Sequence, residues 1–176
     1  MTSATTSLVT VEQYLNTAYR PDVDFVEGVI EERNLGEFDH GRTIFALAKI
    51  FDAHRLDWNI RVALDTRMRI AHDCYRVPDL SITSLATPKE QILHIPPILC
   101  IEVLSPKDTL RKMRRRVAEY FTIGVANIWI LDFQKRQATI CRPDGNDLTQ
   151  SAGVLTIPET PIAIPLEEIF AALDQD

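Results

Sequence analysis

Glu102 sits in the run Ile98-Leu99-Cys100-Ile101-Glu102-Val103-Leu104, whose other members are all apolar. A lone carboxylate there is expensive unless it is paired or bound to a metal. A salt bridge or a solvated strand end is the plain structural alternative. Asp79 follows Pro78 and leads into Leu80–Thr83, again at a strand end. Two carboxylates at neighbouring strand ends are a donor set for Mg²⁺ or Mn²⁺, hard cations that prefer oxygen ligands. Asp24 is a third acid, near the start of an N-terminal hairpin; alone it reads as a surface acid beside a turn.

A positively charged segment lies close by in sequence. Lys107, Arg111, Lys112, Arg114, Arg115 and Arg116, with Asp108 as the one anion, give a local charge of +5 in a chain of net charge −6. A nucleic-acid partner would therefore meet a local stripe rather than the whole surface; a solvated helix face is the structural alternative. Met113, Val117, Tyr120 and Phe121 form the apolar stripe of a helix here. At roughly 100° per residue, Arg116 lies about 60° from Met113, on the shoulder of that stripe. Arg116 and Tyr120, four apart, share a face, and Lys112 lies one turn earlier on the same side. Arg111, Arg114 and Arg115 point elsewhere, towards water or a polyanion. A cation beside a metal-bound carboxylate pair suits phosphodiester hydrolysis: the metal generates hydroxide and the cation stabilises charge on the phosphoryl oxygens. The remaining helix cations would hold a DNA backbone without reading its sequence.

Other chemistries find less support. His40 lies on the stripe His40–Ile44–Leu47–Phe51, where a core or rim histidine is the ordinary reading and an orienting group or phosphate contact the alternative. No Gly-x-Ser-x-Gly elbow surrounds Ser105, which disfavours a serine hydrolase. No glycine-rich phosphate loop appears. Cys74, Cys100 and Cys141 have neither zinc nor disulfide spacing and read as small buried residues in a reducing cytoplasm.

The elements that must position these residues follow from capping and periodicity. Thr10 with Gln13 forms a capping box for a short helix over Val11–Thr17. Val23–Arg33 reads as two short strands about Glu27-Gly28, and Asp39–His54 as a helix with one apolar stripe. Strands are expected at Ile60–Leu64, Thr66–Ile70 and Leu80–Thr83. Ile98–Leu104 reads as a strand buried on both faces. The amphipathic helix after Ser105-Pro106 should end near Ile123, with Gly124 at the C′ position. Asn127–Asp132 is a second buried strand, paired with Arg136–Arg142 as a hairpin. Val154–Ile157 is an edge strand, and Pro165 opens a last helix over Leu166–Leu173. The order implies an α/β fold with a mixed β-sheet flanked by helices. Ile98–Leu104, the basic helix and Asn127–Asp132 form a βαβ unit with parallel strands.

The length of 176 residues indicates a single domain spanning 1–176, with residues 1–8 frayed. No apolar stretch approaches the roughly 20 residues of a membrane span. No secretory leader opens the chain, so the expected location is cytoplasmic.

Pro78-Asp79, then Ile101-Glu102-Val103-Leu104-Ser105-Pro106, then Tyr120 with Gly124-Val125 and Trp129-Ile130-Leu131-Asp132, together resemble the Uma-two family, a branch of the PD-(D/E)XK nuclease superfamily. The resemblance runs from about Asp24 to Arg142. It implies a restriction-endonuclease-like fold, with Asp79 and Glu102 as metal-binding acids and Asp24 beside them in the position of a family glutamate. His40 and Tyr120 match a family histidine and tyrosine. The family lysine four residues before that tyrosine is here Arg116. Arginine keeps the charge and can clamp phosphate bidentately, but it cannot act as a base. The expected activity is therefore a Mg²⁺- or Mn²⁺-dependent DNA endonuclease, with Asp79, Glu102 and Arg116 catalytic and Asp24, His40, Lys112 and Tyr120 supporting. Lys107, Arg111, Arg114 and Arg115 would contact the DNA backbone. A homodimer is expected, because cutting both strands needs two sites. The competing expectation is a catalytically impaired relative that binds nucleic acid or protein.

Overall fold

The computed structural model describes residues 8–33 and 37–174. Of the segment expected to fray, residues 1–7 lie outside the described residues. Leu8 is exposed but packs on the N-terminal hairpin, where a Cβ added to Gly28 would meet its side chain at 3.1 Å.

The Thr10–Gln13 box caps α1 (Val11–Leu15). β1 (Asp24–Val26) and β2 (Val29–Glu31) form a hairpin whose two turn residues, Glu27 and Gly28, both take positive φ, as a tight antiparallel turn requires. α2 (Phe38–Ala53) follows, then β3 (Ile60–Leu64), β4 (Met68–Ala71), β5 (Cys74–Arg76), β6 (Leu80–Ser84) and β7 (Leu99–Val103). α3 (Leu110–Thr122) is capped by the Thr109 hydroxyl, and Gly124 beyond its C-terminus takes φ +92. β8 (Asn127–Asp132), β9 (Gln137–Cys141), β10 (Leu148–Gln150), β11 (Val154–Thr156), β12 (Ala163–Pro165) and α4 (Leu166–Ala171) complete the described chain.

The fold is α/β, with mixed strands flanked by helices, but the strands divide among sheets. A six-stranded sheet has the order β10-β9-β8-β7-β6-β3; it is antiparallel except for β7 and β8, the parallel pair joined through α3. The N-terminal hairpin lies in a separate four-stranded sheet, β2-β1-β5-β4, and β11 pairs with β12 alone. Three short strands were not foreseen. β5, β10 and β12 are three residues each, too short to carry a periodic signal; β5 is defined by pairing with distant β1, β10 and β12 by pairing with the strands just before them.

The alternation along β7 decides what happens at the site. Leu99, Ile101 and Val103 enter the main core with α2 and α4, through Leu47, Phe51, Ile169 and Phe170. Cys100 enters the second core, under α3, with Val117, Tyr120 and Ile128. Side chains two apart share a sheet face, so Glu102 faces α3 as Cys100 does. On β6, Leu80 and Ile82 likewise face the main core, which turns Ser81 and Asp79 towards α3. Leu80 pairs with Ile101, so antiparallel register continued by one residue sets Asp79 opposite Glu102.

Candidate active site

The chain passes from the four-stranded to the six-stranded sheet through Val77-Pro78-Asp79, and α3 lies over that passage. Asp24 on β1 accepts the Val77 amide at 2.8 Å through Oδ1. Arg116 on α3 donates Nη2 to the Val77 carbonyl at 2.9 Å. Asp79 Oδ2 accepts the Val103 amide at 2.8 Å, tying the start of β6 to the end of β7. Both sheets and α3 thus meet at one point, and the acids singled out in the sequence stand around it. Asp79, Glu102 and Asp24 are all buried, at 5%, 3% and 3% exposure.

Arg116 is the hub of this cluster. Its Nε and Nη2 donate to Glu102 Oε1 at 3.2 and 2.9 Å, and its Nη1 donates to Asp24 Oδ2 at 2.7 Å. Tyr120, one turn on, donates its hydroxyl to the same Glu102 oxygen and accepts from Arg116 Nη2 at 3.2 Å. All of these bonds to Glu102 fall on Oε1, so among the described residues Oε2 is the oxygen left without a hydrogen-bond donor. Burial pushes the Glu102 carboxyl up to about 7; Arg116 pulls it down and the Asp79 charge pushes it up again.

Asp79 is held differently. Burial alone would raise it, but His40, Arg33 and the Val103 amide outweigh burial and hold it below the ordinary carboxylate range. Arg33, in the loop after β2, donates one Nη to Asp79 Oδ1 and the other to Asp65 at 2.5 Å. His40, in the first turn of α2, places Nε2 3.6 Å from Asp79 Oδ2; that carboxylate and the Val103 backbone outweigh burial and raise its pKa.

Asp24 belongs to a second layer of charge. Antiparallel register places Glu31, Asp24 and Arg76 side by side across β2, β1 and β5. Arg76 is 1% exposed and donates to Asp24 at 3.0 Å, Glu31 at 2.6 Å and Glu119 of α3 at 2.6 Å. Arg115 bonds Glu31 and Glu119 as well. This network fixes α3 against the four-stranded sheet.

These groups line one cavity of about 350 Å³, with Asp79, Glu102, His40, Arg33, Arg116 and Lys112 in its wall. Lys112 is otherwise exposed, and Lys107, Arg111 and Arg114 lie on the solvent side of the same segment. Arg115 also lines the cavity, but its guanidinium is spent on the two glutamates.

Among the described residues, no three His, Cys, Asp or Glu side chains are grouped to hold a metal ion. The donors that suit a hard cation number fewer. Glu102 Oε2 accepts no hydrogen bond from the described residues, and Asp79 stands opposite it, each Asp79 oxygen having two lone pairs. The Val103 carbonyl lies at the end of the same strand. With water, that set fits Mg²⁺ or Mn²⁺, ions that usually keep several water ligands.

Arg76 and Arg33 were absent from the sequence reading, as were their partners Glu31, Glu119 and Asp65. Arg76, in Cys74-Tyr75-Arg76-Val77, is a lone charge in a short apolar run, the same signal that marked Glu102, and could have been found by it. Arg33 carries no such signal, because its partners lie 32 and 46 residues away.

Three comparisons bear on this arrangement. None of the curated proteins matches the chain. A solved structure described as a putative nuclease belonging to DUF820, from Anabaena variabilis ATCC 29413, superposes with a TM-score of 0.81 at 20% identity. The match covers 94% of this chain and 99% of that one. At that identity the likeness establishes a shared fold. No helix among the described residues is long and apolar enough to cross a membrane. The family profile described as "Uma2: Putative restriction endonuclease" matches residues 11–173, which takes in every element from α1 to α4, and the chain therefore belongs to the Uma2 family.

Proposed function

We propose that the chain is a Mg²⁺- or Mn²⁺-dependent endonuclease acting on phosphodiester bonds in DNA. One observation carries this reading: Asp79 and Glu102 share a sheet face at adjoining strand ends, in one cavity with Arg116 clamped on Glu102. Asp79, Glu102 Oε2 and the Val103 carbonyl would hold the ion, which when bound supplies an activated water and charge stabilisation at the phosphoryl group. The protein's own part is positional and electrostatic. Tyr120 and Arg116 occupy Oε1 and so fix which Glu102 oxygen is presented. Arg116 keeps one Nη1 hydrogen outside its bonds to Glu102, Asp24, Val77 and Tyr120, available to a phosphoryl oxygen. Lys112 adds charge at the cavity wall. A preorganised donor of this kind is typically worth roughly 3–4 kcal/mol in the transition state. Lys107, Arg111 and Arg114 would hold the DNA backbone, with affinity that falls steeply with salt. Cleavage of both strands would use a homodimer.

The test is plasmid nicking in Mg²⁺ and in Mn²⁺ by the wild type, Asp79→Ala and Glu102→Ala. Nicking by the wild type and its loss in both variants is expected; nicking that survives both belongs to a contaminant and removes support. A second reading has its own observation. The inner acids Asp24, Asp79 and Glu102 are all engaged by guanidiniums, from Arg33, Arg76 and Arg116, which suits a relative that keeps the fold to bind nucleic acid or protein without cutting. Firm DNA binding at low salt with no nicking in either metal selects it.

A further inference from the structure

We propose that Arg33 holds Oδ1 of Asp79 when no ion is bound and must release it for an ion to enter, so that Arg33 limits the affinity of the site for divalent cations. The inference rests on Asp79 and Glu102 being the ligands.

Each inner acid already carries a guanidinium: Asp79 has Arg33, Glu102 has Arg116, and Asp24 has Arg76 and Arg116. A divalent cation added at Asp79 with nothing displaced would meet the Arg33 guanidinium at close range among groups that are nearly all buried, which is unfavourable. One cation has to give way, and the three are not equally held. Arg76 is bound by carboxylates from β1, β2 and α3. Arg116 is bound to Glu102, Asp24, Val77 and Tyr120. Among the described residues Arg33 has Asp79 and Asp65, and the Asp65 side chain is 60% exposed. Arg33 can therefore leave Asp79 and stay paired with Asp65 towards solvent, which neither other arginine can do. Asp79 Oδ2 is engaged by the Val103 amide, and Arg33 covers Oδ1. His40 also approaches Asp79, but its Nε2 lies 3.6 Å from Oδ2, the oxygen that Arg33 does not hold.

The experiment is calorimetric titration of metal-stripped full-length protein with Mn²⁺, comparing wild type, Arg33→Gln and Arg33→Lys. Removing a competing charge-assisted hydrogen bond should tighten binding about tenfold or more in Arg33→Gln, while Arg33→Lys stays near wild type. Asp79→Asn should abolish binding in the wild-type and the Arg33→Gln backgrounds. Wild-type binding with no gain, or a loss, in Arg33→Gln overturns the exchange and leaves the ligand assignment standing. Absence of Mn²⁺ binding in every variant overturns the ligand assignment and the exchange with it. Should Arg33→Gln not fold, ¹⁵N-arginine-labelled wild type titrated with Mg²⁺ gives an independent readout. The Arg33 Nε–Hε resonance, assigned by its loss in Arg33→Lys, should shift as Mg²⁺ binds; saturation with that resonance unmoved overturns the proposal.

Discussion

Replacing Arg116 with methionine should destabilise the protein by an amount that depends on pH in a defined way. The pH-independent part comes from groups left behind. Asp24 keeps Arg76 and the Val77 amide but loses its 2.7 Å bond to Arg116, and the Val77 carbonyl and Tyr120 hydroxyl each lose a donor. Together these are worth about 2–3 kcal/mol. Glu102 behaves differently because it can take a proton. In the wild type its carboxyl is already raised from the ordinary 4.5 to about 7, which is about 3 kcal/mol against the ionised form. Below pH 7 the group is protonated with or without Arg116, and the substitution costs little through Glu102. Above pH 7 the wild-type group ionises, while the variant, lacking the guanidinium, keeps its proton. The folded variant then binds one proton more than the folded wild type, the unfolded chains being alike. Its stability must therefore fall relative to wild type by about 1.4 kcal/mol per pH unit, reaching about 3 kcal/mol of extra loss at pH 9. Urea unfolding in EDTA at pH 6, 7, 8 and 9, followed by the fluorescence of buried Trp129, measures the gap. Glu102→Gln and Glu102→Gln/Arg116→Met, compared in the same way, should differ by a constant. A wild-type gap that stays flat from pH 6 to 9 would falsify the assignment of Arg116 as the counter-charge of Glu102.

Arg116→Lys keeps the charge but loses the fork that spans Glu102, Asp24 and the Val77 carbonyl. Stability should drop by about 1–3 kcal/mol while Mn²⁺-dependent nicking rises, and no rise means that the identity of the cation does not limit turnover. Arg76→Met leaves three carboxylates facing one another beside α3 and should cost about 3–5 kcal/mol, lowering the thermal midpoint by about 10 °C in calorimetry; a loss under about 1 kcal/mol would show that the network is solvated rather than structural. Mn²⁺ affinity should strengthen as pH rises from 6 to 8, because the proton competes for Glu102 up to about pH 7. Below that point the slope approaches about tenfold per pH unit, and a constant dissociation constant across the range removes Glu102 from the ligand set.

Much of the fold was legible because the relevant signals are local. The Thr10 box, the Glu27-Gly28 turn, the unbroken apolar run of β7 and Gly124 after α3 each state their element within a few residues. The division into separate sheets was not legible, since it depends on β5, three residues long, reaching back to β1 across nearly fifty residues. The helix geometry of Arg116 and Tyr120 was readable from their four-residue spacing. That the two converge on one oxygen of Glu102 depends on where α3 lands, which its sequence does not state.

The acids and their compensation differ in legibility for a physical reason. A carboxylate in an apolar strand violates a local expectation, so Glu102 is visible from its neighbours alone. A guanidinium that neutralises it can come from any element, on a side chain long enough to cross between layers, and nothing near it in sequence needs to look unusual. Arg33 is such a case, an ordinary loop arginine that ends on Asp79. Charge arithmetic over segments therefore misleads. The +5 of residues 107–116 reads as a free basic stripe, yet Arg115 and Arg116 are consumed by Glu31, Glu119, Glu102 and Asp24. The part left facing outward is Lys107, Arg111, Lys112 and Arg114, at the end of α3 nearer the cavity mouth. The nuclease and binding-module readings share that surface and share the acids. They part only over whether one guanidinium can be exchanged for an ion, which makes the hold on Asp79, rather than the presence of the acids, the property that separates them.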